Sequence, residues 1–260
     1  MGVVAVTGSA GGIGGAIRRR IEAAGHRVIG VDVRGAEVIA DLARADGRTA
    51  ACAAVVEQAA GPLDGLVVAA GIGGSTSAPP STVARINYFG SAQLLAGLRD
   101  ALLEGELRAA VAISSNSASV VPIGDPAFIE ACLADDEEQA AALADGLDGE
   151  TVYANGKLAL ARKVRRLAVA WAPKLRVNAV CPGVILTGLT AAALEHPVTG
   201  PAIKSFPVPL DRWGEPDDIA EAVWFLLSVQ SKWTTGSVLF VDGGTDALLG
   251  PDRINTFLRQ

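Results

Sequence analysis

The chain has 260 residues, half of them hydrophobic with a mean hydropathy of +0.36, enough apolar content for one large α/β domain and too much for a disordered chain. Its net charge of −6 and pI near 5.0 argue against a nucleic-acid partner and against an anionic membrane surface. The three cysteines (Cys52, Cys132, Cys181) have no metal-ligand spacing, and the two histidines (His26, His196) are too few for a histidine-based metal site or triad.

The first predicted strand, Gly2–Thr7, is a short apolar run reaching a glycine-rich turn, Thr7-Gly-Ser-Ala-Gly-Gly-Ile-Gly14. With no charged segment ahead of that strand and no stretch of about 18 uninterrupted apolar residues, the expectation is a cytoplasmic protein without a signal peptide or membrane span. A helix is predicted over Gly14–Ala24, closed by Gly25, then a strand over His26–Asp32 and another over Glu37–Asp41. The helix expected between those two strands is missing or cut to a turn. Helical pattern resumes over Gly47–Ala60, Gly65–Ala69 reads as a fourth strand, 82–103 as one long helix, and Ala109–Ser114 as a fifth strand. Residues 120–150 are alanine-rich and acidic, with Asp135-Asp-Glu-Glu138 at their middle, and read as an inserted helical excursion. A helix over Tyr153–Trp171, a strand over Leu175–Val180, a Pro/Gly/Thr-rich loop over Pro182–Pro209, a helix over Pro216–Leu227 and a strand over Ser237–Asp242 complete the chain. This alternation predicts a single α/β domain, a doubly wound parallel sheet with helices on both faces.

Gly8, Gly12 and Gly14 lie between a predicted strand and helix, where backbone N–H groups and the helix N-terminus receive a pyrophosphate. Asp32, ending the second strand, is placed to accept hydrogen bonds from both adenosine ribose hydroxyls and to repel a 2′-phosphate, which favours NAD over NADP. Arg34 leaves NADP open. Asp41 is a further candidate, for the adenine amino group. Tyr153 and Lys157, four residues apart on a helix, point into the same space. A phenol titrating near 10 needs roughly 4 kcal/mol to work near pH 7, and a unit charge at about 4 Å supplies roughly that at an effective dielectric of about 20.

With these elements in order, the chain resembles the short-chain dehydrogenase/reductase family over almost its whole length. The family's T-G-x-x-x-G-x-G is Thr7-Gly8…Gly12-Ile13-Gly14, its Y-x-x-x-K is Tyr153…Lys157, and its central-helix asparagine matches Asn87. Its active-site serine matches Ser115, with Ser114 as the alternative, and its P-G motif is Pro182-Gly183, followed by Thr187. The N-N-A-G motif is replaced by Val68-Ala69-Ala70-Gly71, which puts local hydrogen bonding in doubt. Within the family the chain looks most like bacterial NAD-dependent 3α-hydroxysteroid dehydrogenase/carbonyl reductases, on two grounds: the missing helix after Asp32 and the 38 positions from Ser115 to Tyr153.

That resemblance implies an NAD-dependent oxidoreductase with Tyr153 as general acid/base, Lys157 lowering the phenol's pKa and holding the nicotinamide ribose, Ser115 stabilising the reacting oxygen and Asn87 anchoring a proton-relay water. It also implies cofactor contacts from Gly8, Ser9, Gly12, Ile13, Gly14, Asp32, Asp41, Leu42, Ala70, Gly71, Pro182, Gly183, Ile185 and Thr187, no metal, and a homodimer or homotetramer. The apolar residues Leu186, Leu189, Leu194, Val198, Ile203 and Phe206 suit a lid over a bulky apolar alcohol or ketone, whether steroid, terpenoid or aryl. A non-catalytic NAD-sensing regulator of the same fold is the competing reading. The basic run Arg162, Lys163, Arg165 and Arg166 reads as a solvated helix face.

Overall fold

The computed structural model describes residues 2–252. Strand β1 (Val3–Thr7) leads into α1 (Gly12–Ala23), followed by β2 (Arg27–Asp32), β3 (Val38–Ile39), α2 (Ala45–Ala59) and β4 (Gly65–Val68). Next come α3 (Pro80–Ala84), a π-helical stretch (Arg85–Gly90), α4 (Ser91–Gly97), α5 (Arg99–Leu103) and β5 (Ala109–Ile113). Three helices, α6 (Ser117–Val120), α7 (Pro126–Leu133) and α8 (Glu137–Ala144), precede the long α9 (Gly149–Trp171) and β6 (Arg176–Pro182). The chain closes through α10 (Gly188–Glu195), α11 (Thr199–Lys204), α12 (Pro216–Leu227), β7 (Val238–Val241) and α13 (Thr245–Leu249).

The seven strands form one sheet in the order β3-β2-β1-β4-β5-β6-β7, all pairs parallel. Successive side chains alternate between its faces. Val4, Val6, Val67 and Val111 pack with Ile17 and Ile21 of α1 and Val223 and Leu226 of α12 on one side. Ala5, Leu66, Val68 and Ala112 meet Val55, Leu95, Leu160 and Val164 on the other. Each such aliphatic side chain, once fully buried, contributes about 1.5–3 kcal/mol of transfer free energy. Strand order reverses between β1 and β4, so a crevice opens at the carboxyl ends of these two strands.

Helix α1 ends as its sequence suggests: Gly25 adopts φ +87°, its N–H donates to the Glu22 carbonyl, and the His26 N–H donates to the Ile21 carbonyl. The expected helix between β2 and β3 is absent, and a turn through Gly35 (φ +63°) joins them. The long helix expected over 82–103 is instead a run interrupted twice. It widens to the π form at Arg85–Gly90, around Asn87, and Leu98 (φ −100°, ψ 2°) separates α4 from α5. Apolar periodicity does not register either interruption, because both keep the same face inward. The 182–209 segment, expected as loop, holds the short helices α10 and α11.

The acidic run at 135–138 is structural. Asp135 (φ +59°) turns the chain out of α7, Asp136 caps α8 by accepting from the Gln139 N–H, and Glu137 pairs with Arg48. Arg48 is 1% exposed and also holds the Gln93 amide oxygen and the Leu42 carbonyl, so α8 is tied to the core through a buried guanidinium. Among the described residues, no helix is long and apolar enough to cross a membrane.

Candidate active site

At the carboxyl ends of the strands lies a cleft of about 640 Å³. Sixteen of the residues singled out above line it: Gly8, Gly12, Ile13 and Gly14 from the turn, Asp32, Asp41 and Leu42 beyond β2, Ala70 and Gly71 after β4, Ser115, Tyr153 and Lys157 at the centre, and Pro182, Gly183, Ile185 and Thr187 after β6. Ser9 and Asn87 stand behind its wall.

The turn's glycines are required by geometry. Gly8 (φ +69°) and Gly12 (φ +54°) occupy left-handed backbone, and a Cβ on Gly14 would lie 2.1 Å from the Gly8 carbonyl oxygen. Space around Gly11 is open to at least 4 Å, which leaves a backbone cradle suited to a phosphate. Asp32 is oriented at the rim by two backbone donors, Ala10 N–H at 3.0 Å and Val33 N–H at 2.7 Å. Asp41 accepts from the Ala43 N–H at 2.9 Å. A backbone cradle and a rim carboxylate at one end and a lysine at the other form a set of polar groups that fits a dinucleotide.

Two sets of hydrogen bonds hold the segment that follows β4. The Thr7 hydroxyl accepts from both the Ala69 and Ala70 N–H groups at 2.9 Å, joining β1 to the end of β4. Asn87, 1% exposed, then makes a reciprocal pair with Ile72, accepting from its N–H and donating to its carbonyl, each at 2.9 Å. Both ends of the Asn87 amide are therefore engaged with backbone. A Cβ on Gly71 would stand 2.9 Å from the Asn87 oxygen and 3.6 Å from Lys157 Nζ, so asparagine, glycine and lysine crowd one point. Asn87→Ala should lower stability by about 1 kcal/mol, because it leaves two partly buried backbone groups of Ile72 without their partner. Chemical denaturation checks this, and an unchanged midpoint would show the pair to be dispensable.

Lys157, 4% exposed, donates from Nζ to the Ile113 carbonyl at 2.8 Å and lies 5.9 Å from the Tyr153 ring centroid. Burial dominates at the tyrosine: it pushes the Tyr153 phenol up, opposed by the hydrogen-bonding influence of the Ser115 hydroxyl, and the Glu150 carboxylate adds to the rise. Burial also lowers the Lys157 ammonium to about 8. Burial thus favours the protonated phenol and the neutral amine at this end of the cleft.

The Lys157 shift has a sign that can be tested. Between about pH 8 and a lysine's ordinary 10.5 the folded state holds fewer protons at this site than the unfolded chain, so this group's contribution to stability rises with pH across that window. Lys157→Met should therefore raise the melting temperature most at pH 7, with the gain shrinking as pH approaches 10. A gain independent of pH would show that burial of the charge is not its source.

The two neighbouring serines differ. The Ser114 hydroxyl donates to the Lys157 carbonyl at 2.8 Å, which occupies it with positioning α9. Ser115 accepts from the Ser117 N–H at 3.1 Å and faces the phenol. Residues outside the motifs also enter the site. Leu189 and Thr190 line the cleft from α10, which Thr187 caps by accepting from the Thr190 N–H at 3.3 Å; the T-x-x-T spacing is a local signal for that cap. Buried Cys181 sits behind the serines, its thiol pushed up to about 11 by burial.

The comparisons with known proteins agree with this geometry. The NAD-dependent epimerase/dehydratase family profile matches residues 4–181 and the enoyl-(acyl carrier protein) reductase profile residues 140–246. The chain is 37% identical to the 3-alpha-hydroxysteroid dehydrogenase/carbonyl reductase of Comamonas testosteroni, over 96% of this chain and 99% of that protein. It is 30% identical to the L-xylulose reductase of Bos taurus, over 92% of this chain and 94% of the relative. Among solved structures it is similar to the 3-alpha-hydroxysteroid dehydrogenase from Pseudomonas sp. B-0831 complexed with NADH, with a TM-score of 0.94 and 42% identity, covering 97% of this chain and all of that one. A parallel sheet with its cleft at the strand-order switch, a glycine turn at one end of that cleft and a Tyr–Lys pair at the other, together with relatives of this identity across nearly their full length, establish that the chain belongs to the short-chain dehydrogenase/reductase family and is an NAD-dependent oxidoreductase.

Proposed function

We propose that the protein interconverts a secondary alcohol and a ketone of bulky, apolar character, a 3α-hydroxysteroid or another carbonyl compound, with Tyr153 as general acid/base. The observation that carries this reading is the continuity of one cleft from the glycine turn and Asp32 to Tyr153, Ser115 and Lys157. The similarity to a hydroxysteroid dehydrogenase/carbonyl reductase over nearly the whole of both chains supports the substrate class.

NADH, when bound, would supply the hydride for the carbonyl carbon and be oxidised to NAD⁺, which leaves the carbonyl oxygen to take one proton from the protein. Tyr153 is the donor of that proton and its acceptor in reverse. Ser115 donates a hydrogen bond to the same oxygen as negative charge develops there. Lys157 favours the phenolate electrostatically and is placed to hold ribose hydroxyls, while Asp32 accepts from the hydroxyls of the other ribose. Asn87 acts on this site by holding Ile72, and through it the strand end beside Lys157, in place. Ile72, Leu189 and Ile113 give the cleft its apolar lining near the reacting centre.

The test is NADH consumption over a panel of steroid, terpenoid and aryl ketones. Turnover with steroid ketones supports the reading, turnover confined to terpenoid or aryl ketones moves the substrate class, and tight NADH binding with no turnover on any of them would indicate a non-catalytic sensor. We further propose a homodimer or homotetramer in the cytoplasm; sedimentation showing a monomer would overturn the assembly.

A further inference from the structure

Beside the cleft lies a second, smaller hollow walled by Ser9, Ala10, Arg18, Gly35, Ala36 and Glu37. Ala10 belongs to both cavities, and its N–H donates to Asp32, so the hollow begins where the Asp32 carboxylate is held. Glycine at position 30 leaves room for three of the hollow's side chains to come together. A Cβ there would stand 2.3 Å from Ser9 Oγ, 2.8 Å from Glu37 Oε2 and 3.0 Å from Arg18 Nη1, so three polar side chains converge on one point of β2.

Their hydrogen bonds define what the hollow accepts. Glu37 Oε2 accepts from the Gly30 N–H at 2.8 Å, in place of the strand partner that two-residue β3 does not extend far enough to provide. Arg18 grips both oxygens of Glu37, at 2.9 and 2.7 Å, and donates from Nε to Glu22 at 2.9 Å. That bond to Arg18 holds the Glu37 acid down at about 2, so the carboxylate is charged at every working pH. Ser9 Oγ, in a residue 4% exposed, has no partner among the described residues. One guanidinium thus faces the carboxylates of Glu22 and Glu37, with Asp32 next door, and a dianion entering here meets an excess of negative charge.

We infer that Glu37 is a specificity-determining residue: by occupying Arg18 it closes the hollow beside Asp32 to a 2′-phosphate, so that two carboxylates, and not Asp32 alone, select NAD over NADP. This rests on the reading of Asp32 as a ligand of the adenosine ribose. Freed of Glu37, the same hollow would present a guanidinium and an unpartnered hydroxyl, a donor pair suited to a phosphate.

The test is calorimetric binding of 2′,5′-ADP and of NADPH to the cofactor-free protein. Glu37→Gln keeps an amide oxygen for the Gly30 N–H while removing the charge. In an Asp32→Asn background, adding Glu37→Gln should tighten 2′,5′-ADP binding at least about tenfold, and adding Arg18→Met to that pair should abolish the gain. Equal affinity with and without Glu37→Gln, or a gain that survives Arg18→Met, would overturn the inference. Should the glutamine variant melt too low to titrate, Asp32→Asn/Arg18→Met serves instead: with Glu37 uncompensated, 2′,5′-ADP binding should weaken severalfold relative to Asp32→Asn, and unchanged binding overturns the proposal. NADH titration of the unmodified protein separates the two levels. Absence of binding there brings down the cofactor reading and this inference with it, whereas NADH binding without a Glu37 effect brings down the inference alone.

Discussion

Replacing Tyr153 by phenylalanine should lower kcat by about a hundredfold to ten-thousandfold, the range typical of removing a positioned general acid. NADH affinity should stay within about threefold, because the ring that packs beside Lys157 is retained and only the hydroxyl is lost. Steady-state turnover on an active ketone, paired with a fluorescence titration of NADH, measures both quantities. Burial raises the phenol's pKa, which favours the protonated form that a proton donor requires. Of the other groups lining this end of the cleft, Ser115 offers only a weakly acidic hydroxyl, and Lys157 already gives one of its three N–H donors to the Ile113 carbonyl. Retention of full turnover by the variant would therefore remove the mechanism and not merely adjust it.

The unmodified protein should prefer NADH to NADPH by at least about tenfold in kcat/KM, equivalent to about 1.4 kcal/mol. A like charge about 5 Å from the Asp32 carboxylate is repelled by about 3 kcal/mol at an effective dielectric of about 20. Even after half of that is lost to screening in an open groove, the threshold is met. Two backbone donors hold the Asp32 carboxylate at the rim, so it has little freedom to swing away from a phosphate. Asp32→Asn should erode the preference, with Glu37 left to supply the remainder. Competing initial rates with the two cofactors decide it, and a preference for NADPH would mean that Arg34, which lines the same cleft, governs the ribose pocket.

How much of this was legible beforehand depends on the range of each interaction. Gly8, Gly12 and Gly25 announce themselves, since a positive φ is a local demand that few other residues meet. Tyr153 and Lys157 share a helix, so their spacing alone places them together. Asp32 follows from its position at the end of a buried strand. The cap of α8 by Asp136 is equally local, although within an acidic cluster it read only as composition.

What the amino-acid sequence determined by itself was the order of the seven strands, the glycine turn and the Tyr–Lys pair, because each depends on residues within a few positions of one another. Tertiary structure decided the rest. Thr7 accepts from the Ala69 and Ala70 N–H groups, 62 and 63 positions away in the chain, only because β1 and β4 lie side by side. Asn87 meets Ile72, and Arg48 meets Glu137, only once the helices have docked. Glu37 and Arg18 face each other over Gly30 because β3 is too short to cover β2, a consequence of sheet packing that no spacing in the chain encodes.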